Sequence, residues 1–248
     1  MHAVHRLHEY RKSLSTTTYK SRGQRLIRCE LCQLAKQNCV CSLKLTLNSN
    51  VGFLLLMYDT EVLKPSNTGK LIADLIPDTF AFLWSRTTVE QKLLDVITDQ
   101  QWQPYIVFPA EYALEEQQVF HQALMNESGD EKKPLFILLD GSWREAKKMF
   151  KKSPYLAKFP ILSIDPQQLI SEDFSPRYQL RQSAKSNQMS TVEVAAQVLA
   201  IAGENANAKV LDCWFDVFSY QYQKSVCQAN KGDPTAQQRF EKLTELYK

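Results

Sequence analysis

The chain has 248 residues and a mass of 28.6 kDa, with 44% hydrophobic and 23% charged residues. That is enough to bury a core of one large domain plus a small module, and it excludes wholesale disorder. The formal net charge of +3 is unevenly spread: residues 1–28 hold seven Lys/Arg against one acid, and the remaining residues hold 23 bases against 26 acids. A basic end on a mildly acidic body points to a polyanionic partner. The N-terminus MHAVHRLHEYRK has no apolar core of a secretion signal. The longest apolar runs, at 53–58 and 135–139, are far too short for a bilayer of ~30 Å. The expectation is a soluble, cytoplasmic protein.

In chain order, residues 1–28 read as a basic helix or arm, with Arg22, Arg25 and Arg28 as candidate nucleic-acid contacts. His2, His5 and His8 share one helical face but have no carboxylate or cysteine partner at matching spacing, which favours a solvated arm over a metal site. Cys29, Cys32, Cys39 and Cys41 then fall within thirteen residues. Two short cysteine pairs joined by a short loop can close on one tetrahedral zinc, so 29–48 is expected to be a four-cysteine zinc knuckle. Four thiolates leave no open coordination position, which makes such a site structural. Cys213 and Cys227, in aromatic-rich helical sequence, read as buried thiols.

The main domain is expected over 49–230. Strand-length apolar runs at 52–57, 80–83, 105–108, 135–139 and 161–164 show little alternation, as in strands covered on both faces. Helical segments are predicted at 70–75, 89–98, 111–125, 143–152, 191–202 and 210–227, with a polar loop at 126–133. Ser190 with Glu193 forms a capping-box signature. Strand–helix alternation implies an α/β fold with a parallel sheet, and 231–248 reads as a C-terminal helix.

Several nucleotide and hydrolase signatures are missing. No two glycines are separated by one residue, so there is no GxGxxG fingerprint, and position 64 is Lys where a P-loop ending at Gly69-Lys70 would need Gly. HExxH and GxSxG are also absent. In an open parallel sheet, ligands bind at the carboxyl ends of strands. Two such ends carry unusual polar clusters. The first runs Tyr58-Asp59-Thr60-Glu61, then Pro65-Ser66-Asn67-Thr68-Gly69-Lys70; the second is Asp140-Gly141-Ser142-Trp143, followed by Lys147-Lys148-Met149 and Ser153-Pro154-Tyr155-Leu156. Tyr178-Gln179-Leu180-Arg181 and Ser190-Thr191-Val192-Glu193 come later.

In this order, and together with the cysteine knuckle, these elements resemble the DTW-domain family of tRNA-uridine aminocarboxypropyltransferases over nearly the whole chain. Two departures are Ser142 at the family's Thr position and Tyr178-Gln179-Leu180-Arg181 for Tyr-Arg-Leu-Arg. The resemblance implies a fold similar to the knotted SPOUT-like methyltransferases, with helices on both faces of the sheet. It also implies S-adenosylmethionine as donor and tRNA as acceptor. The 3-amino-3-carboxypropyl group would move to N3 of a variable-loop uridine, with methylthioadenosine leaving.

The residues suit that chemistry in type. A carboxylate at a strand end, Asp140, can accept the N3 proton or orient the base, and can equally cap a helix. Trp143 can stack on adenine or uracil, or sit in a core. Asn67, Thr68, Gly69, Gly141 and Ser142 offer donors and close backbone approach to the sulfonium donor. Asp59 and Glu61 suit its ammonium or ribose, and Tyr178 and Arg181 its carboxylate or a phosphate. Glu193 reads as a cap. Arg144, Lys147, Lys148, Lys151 and Lys152 oppose only Glu145 beside this block and are candidate phosphate contacts. Two other readings compatible with the sequence are a SPOUT-type RNA methyltransferase and a non-catalytic zinc-knuckle RNA-binding protein.

Overall fold

A computed structural model describes residues 1–17, 19, 23, 25–121, 132–164, 189–226 and 229–247. The described strands are β1 (Gly52–Met57), β2 (Thr79–Leu83), β3 (Trp102–Val107), β4 (Val119–Phe120), β5 (Lys133–Asp140) and β6 (Ile161–Leu162). They form one sheet in the order β2-β1-β5-β3-β6-β4, with each of these pairings parallel. β1 and β5 are adjacent and in register from Gly52 opposite Leu135 to Met57 opposite Asp140. Both carry unbroken apolar runs because helices cover both faces.

The described helices are α1 (Ala3–Ser13), α2 (Gly69–Leu75), α3 (Gln91–Thr98), α4 (Trp143–Lys151), α5 (Thr191–Ile201), α6 (Asn205–Val226) and α7 (Ala236–Thr244). On one face Phe53, Leu55, Phe136 and Leu138 meet Ile72 of α2, Val192 and Leu199 of α5, and Leu211 and Phe218 of α6. On the other, Leu54, Leu56, Leu135 and Ile137 meet Leu93 and Ile97 of α3 and Ala146 and Met149 of α4. The alternate residues of each strand thus feed two separate cores. α7 closes the far side of α6 through Phe240, whose ring centroid lies 5.0 Å from that of Trp214. No described helix is long and apolar enough to cross a membrane.

Capping residues set the ends of α5. Ser190 precedes the helix, and its backbone N–H and hydroxyl both donate to Glu193 Oε2, at 2.7 and 2.8 Å, the expected capping box. After the helix Gly203 adopts φ +83°, and the Gly203 and Glu204 amides return to the Ala200 and Leu199 carbonyls, a Schellman ending that needs glycine at the left-handed position.

Over its described part, 111–121, the predicted helix at 111–125 is not formed. A short 3-10 turn, Ala110–Tyr112, is followed by an edge strand, β4. Gln117 decides the matter: its side-chain amide donates to the Phe159 carbonyl at 2.7 Å and accepts from the Leu114 amide at 3.3 Å, and Val119 and Phe120 then pair with β6. Phe120, expected on a helix stripe, lies in the edge strand instead, and Leu114 is exposed. Lys133, expected in a loop, begins β5, while 122–131 lie outside the described residues.

α1 is not a solvated arm. It packs on the sheet edge and α2, burying Val4, His5 and Leu7, and the reason is long-range: Asp74 of α2 accepts from His2 at 3.0 Å. The knot implied by the resemblance concerns the path between β6 and α5, where 165–188 lie outside the described residues.

Candidate functional site

The carboxyl ends of β1 and β5 meet, as the register requires, and Tyr58 N–H donates to the Asp140 carbonyl at 2.9 Å to hold them together. Asp140 is 3% exposed. Asn67 Nδ2 donates to its Oδ2 at 2.7 Å, and the Thr191 hydroxyl donates to its Oδ1 at 2.6 Å. One side chain therefore ties the loop after β1 to the first residue of α5. Gly69 makes this possible: a Cβ built there would lie 2.7 Å from Asp140 Oδ2, closer than real contacts allow. The close approach that glycine permits is made by Asp140 itself.

Asn67 is held from both ends of its amide. Its nitrogen also reaches Glu61 Oε1 at 3.3 Å, and its oxygen accepts from the Lys70 backbone N–H at 3.2 Å, which fixes the amide orientation. Glu61, 1% exposed, takes Lys64 Nζ on its other oxygen at 2.6 Å. These side chains brace the loop. The starts of α2, α4 and α5 all lie beside Asp140, and the Glu145 and Glu193 side chains already cap α4 and α5. Both Asp140 oxygens accept hydrogen bonds, which is the role of a carboxylate.

Gly141 passes under Tyr58, whose Cβ would lie 3.2 Å from an added Cβ. Ser142 caps α4: its amide and hydroxyl both donate to Glu145 Oε2, at 2.7 and 2.6 Å. Trp143 is 38% exposed. Its inner face stacks on Phe108, ring centroids 5.4 Å apart, and Phe108 stacks on Phe150 at 4.6 Å. Tyr112 meets Trp143 edge-on at 5.7 Å, and Lys147 Nζ lies 5.9 Å from the Tyr112 ring and 5.7 Å from the Trp143 ring. Lys148 sits 5.6 Å from both the Tyr58 and the Trp84 ring. Arg144, Lys151 and Lys152 are exposed on the outer side of α4. The arrangement is an aromatic platform edged with cations, and its Trp143 stands three residues after Asp140 in the sequence.

The four cysteine sulfurs converge. Sγ–Sγ distances are 3.7 Å for Cys29–Cys41, 3.8 Å for Cys32–Cys39 and 3.5 Å for Cys29–Cys39, and all four lie within 4.8 Å of one another. Zinc–sulfur bonds of ~2.3 Å at tetrahedral angles give sulfur–sulfur edges of ~3.8 Å, so the donor set fits a tetrahedral thiophilic ion. The turn needs Gln33 at φ 61°, with Gln33 N–H on the Cys29 carbonyl at 3.0 Å and Cys29 N–H on the Leu34 carbonyl at 2.8 Å. Burial opposes ionisation of Cys29, but the Cys32 and Leu31 amides pull its pKa down to about 7. Burial and neighbouring thiols push Cys32 and Cys41 up. A bound dication would reverse that repulsion. Asn38 anchors the cluster to α6 through Ser225 Oγ at 2.6 Å.

Other expected site residues are placed differently. Asp59 is exposed, and both its oxygens accept from the Arg11 guanidinium of α1, at 2.6 and 2.9 Å. Arg28 is turned inward, donating to the Gln33 carbonyl at 2.7 Å, with its guanidinium 6.0 Å from the Tyr222 ring. Arg25 is exposed. Arg22, Tyr178, Arg181 and Cys227 lie outside the described residues. Thr68 is buried at the start of α2, and Cys213 is buried against the Ala236 carbonyl at 3.7 Å.

Sequence reasoning did not single out Thr191 as a partner of Asp140. The hydroxyl stood in the Ser190–Glu193 start, but its use depends on an approach across 51 residues of sequence.

No solved structure matches the chain. The DTW domain profile matches residues 26–223, which takes in the cysteine cluster, the whole sheet and the Asp140 site. That span is most of the 248 residues, and the chain belongs to the DTW domain family.

Proposed function

We propose that the protein is a tRNA-modifying transferase that moves the 3-amino-3-carboxypropyl group of S-adenosylmethionine to N3 of a variable-loop uridine. The carrying observation is Asp140, clamped by Asn67 and Thr191 at the strand ends, three residues before the exposed Trp143. Membership of the DTW domain family supports the same reading. The domain would be SPOUT-like, spanning 49–230, with the arm and knuckle before it.

The donor, when bound, supplies an electrophilic carbon next to a sulfonium whose thioether is a good leaving group. Asp140 accepts the hydrogen bond from uridine N3–H and takes the proton as the nitrogen pair forms the new C–N bond. The C–S bond breaks toward sulfur, leaving neutral methylthioadenosine. Trp143 stacks the uracil, which fixes N3 in line with the reacting carbon. Gly141 and Thr68 line the approach to the donor, and Tyr178 and Arg181 serve its carboxylate or a phosphate. Asn67, Glu61 and Gly69 act through Asp140 and the loop, and Asp59 through α1. Arg25, Arg144, Lys147, Lys148, Lys151 and Lys152 contact phosphates, with Arg22 alongside. Zinc at Cys29, Cys32, Cys39 and Cys41 supplies structure alone.

The test incubates the purified protein with unmodified tRNA and carboxyl-labelled S-adenosylmethionine. Label in the tRNA, with methylthioadenosine released, is the expected result. A nucleoside gaining only a methyl mass, with S-adenosylhomocysteine released, would make it a methyltransferase instead. If Asp140→Ala leaves tRNA modification in cells unchanged, the reading is a non-catalytic RNA-binding protein.

A further inference from the structure

We propose that His2, His5 and Asp74 form a second metal site, separate from the cysteine cluster, that takes Zn2+. Within α1 the only carboxylate is Glu9, which pairs with His8, and the fold supplies the third ligand, Asp74, from α2. One ligand atom from each of the three residues lies within 4.8 Å of the others. His2 Nε2 stands 3.0 Å from Asp74 Oδ1. Metal–ligand bonds of ~2.0–2.1 Å at tetrahedral angles give nitrogen–oxygen edges of ~3.3 Å, so an ion between these two atoms needs them to part by a few tenths of an ångström.

His5 is the second observation. It is 8% exposed, and its Nδ1 has no hydrogen-bond partner among the described residues. Its other nitrogen, Nε2, faces the Leu31 carbonyl, which can only accept, so Nε2 carries the proton and Nδ1 holds the lone pair. A ligating histidine is typically fixed in this way, with one ring N–H on a backbone carbonyl and the other nitrogen on the metal. A buried polar atom without a partner is costly, and an ion removes that cost. The two imidazoles are stacked, centroids 3.6 Å apart and planes 21° from parallel, so one ring must swing out of the stack for both nitrogens to point at a single ion. Trp214 Nε1 donates to Asp74 Oδ2 at 3.2 Å and leaves Oδ1 as the ligand oxygen. His2 is 17% exposed, giving an entry path.

Lys44 is the competitor. Its ammonium also lies on Asp74 Oδ1, where it supplies the counter-charge that a divalent ion would otherwise bring. His2 Nδ1 accepts a long 3.4 Å contact from the His5 amide, and binding through Nε2 gives that contact up. Two imidazoles and one carboxylate with one position left open suit zinc over magnesium or calcium.

The experiment uses the full-length, thiol-reduced chain, freed of metal and re-equilibrated with buffered free Zn2+ in the micromolar range. Wild type is expected to hold two zinc ions per chain, one for each cluster of ligands, and His5→Gln one. With Co2+, the thiolate charge-transfer absorption of the cysteine site should persist in His5→Gln while the second equivalent is lost. One zinc in wild type, or two in both proteins, overturns the proposal. Should His5→Gln fail to fold, Lys44→Met answers the same question. Removing the competing ammonium should tighten the second zinc severalfold, and unchanged or weaker binding overturns the site.

Discussion

Asp140 accepts hydrogen bonds from one residue 73 positions before it and another 51 after it. Its position at a strand end was legible because a carboxylate closes a fully apolar run. Its partners were not, because they depend on how three segments meet. The carboxylate's usefulness rests on those donors, which hold it in one orientation with both oxygens engaged. Thr191→Val removes one donor while keeping shape, so the loss is that of one hydrogen bond to a charged group, ~1.5–3 kcal/mol. The expected outcome is a fall of roughly tenfold to a hundredfold in kcat/KM for transfer, carried mainly by kcat, in a protein that still folds but with a Tm lower by several degrees. Asn67→Asp should be worse, because it sets a third carboxylate between Glu61 and Asp140. Steady-state kinetics beside circular dichroism checks both. A Thr191→Val enzyme with unchanged kcat would show that Asp140 does not need this restraint.

Among the elements, β1, β5, α4 and α5 could be read from the sequence because each carries a local signal: an unbroken apolar run for the strands, helical periodicity for α4 and a capping box for α5. The cap of α4 is Ser142 and not Asp140. β4 could not, because its two residues are a strand only through β6. α2 carries a pH-dependent feature that no local pattern shows. Lys70 is 4% exposed, donates to the Pro65 carbonyl at 2.7 Å and lies 4.6 Å from the Phe218 ring. Burial lowers its pKa from 10.5 to about 7. Between those values the unfolded chain binds more protons than the folded one, so stability rises with pH through that window, by at most ~1.4 kcal/mol per pH unit. Lys70→Met removes the slope. In urea melts, its stability relative to wild type should be most favourable at pH 7 and should decline by pH 9. Parallel curves for the two proteins would mean that Lys70 stays charged in the fold. At the start of α5, Ser190→Ala should cost ~1 kcal/mol, read from the same melts, since Glu193 loses the hydroxyl it accepts from.

At the scale of the whole molecule, the basic N-terminus predicted from the charge count and the helix seen in the fold lead to different experiments. A loose arm could be cut away to test RNA binding alone. α1 cannot, because Val4 and Leu7 are buried, His2 meets Asp74 and Arg11 grips Asp59. At ~1.5–3 kcal/mol for each buried aliphatic side chain, against a typical total stability of about 5–15 kcal/mol, truncation endangers the fold itself. Removing residues 1–17 should therefore lower Tm and impair donor binding together with tRNA binding. The charge that can be changed without such damage lies on the outer side of α4, where Arg144, Lys151 and Lys152 are exposed. Reversing Arg144 and Lys151 to Glu should leave Tm and S-adenosylmethionine affinity near wild type. It should weaken tRNA binding and flatten the dependence of log K on log salt by ~0.7–0.9 for each phosphate that is no longer neutralised. Calorimetric titration with the donor, beside tRNA binding over a salt series, separates the two effects. An unaltered salt slope would remove α4 from the RNA surface and leave the exposed bases of the N-terminal segment, such as Arg25, to carry it.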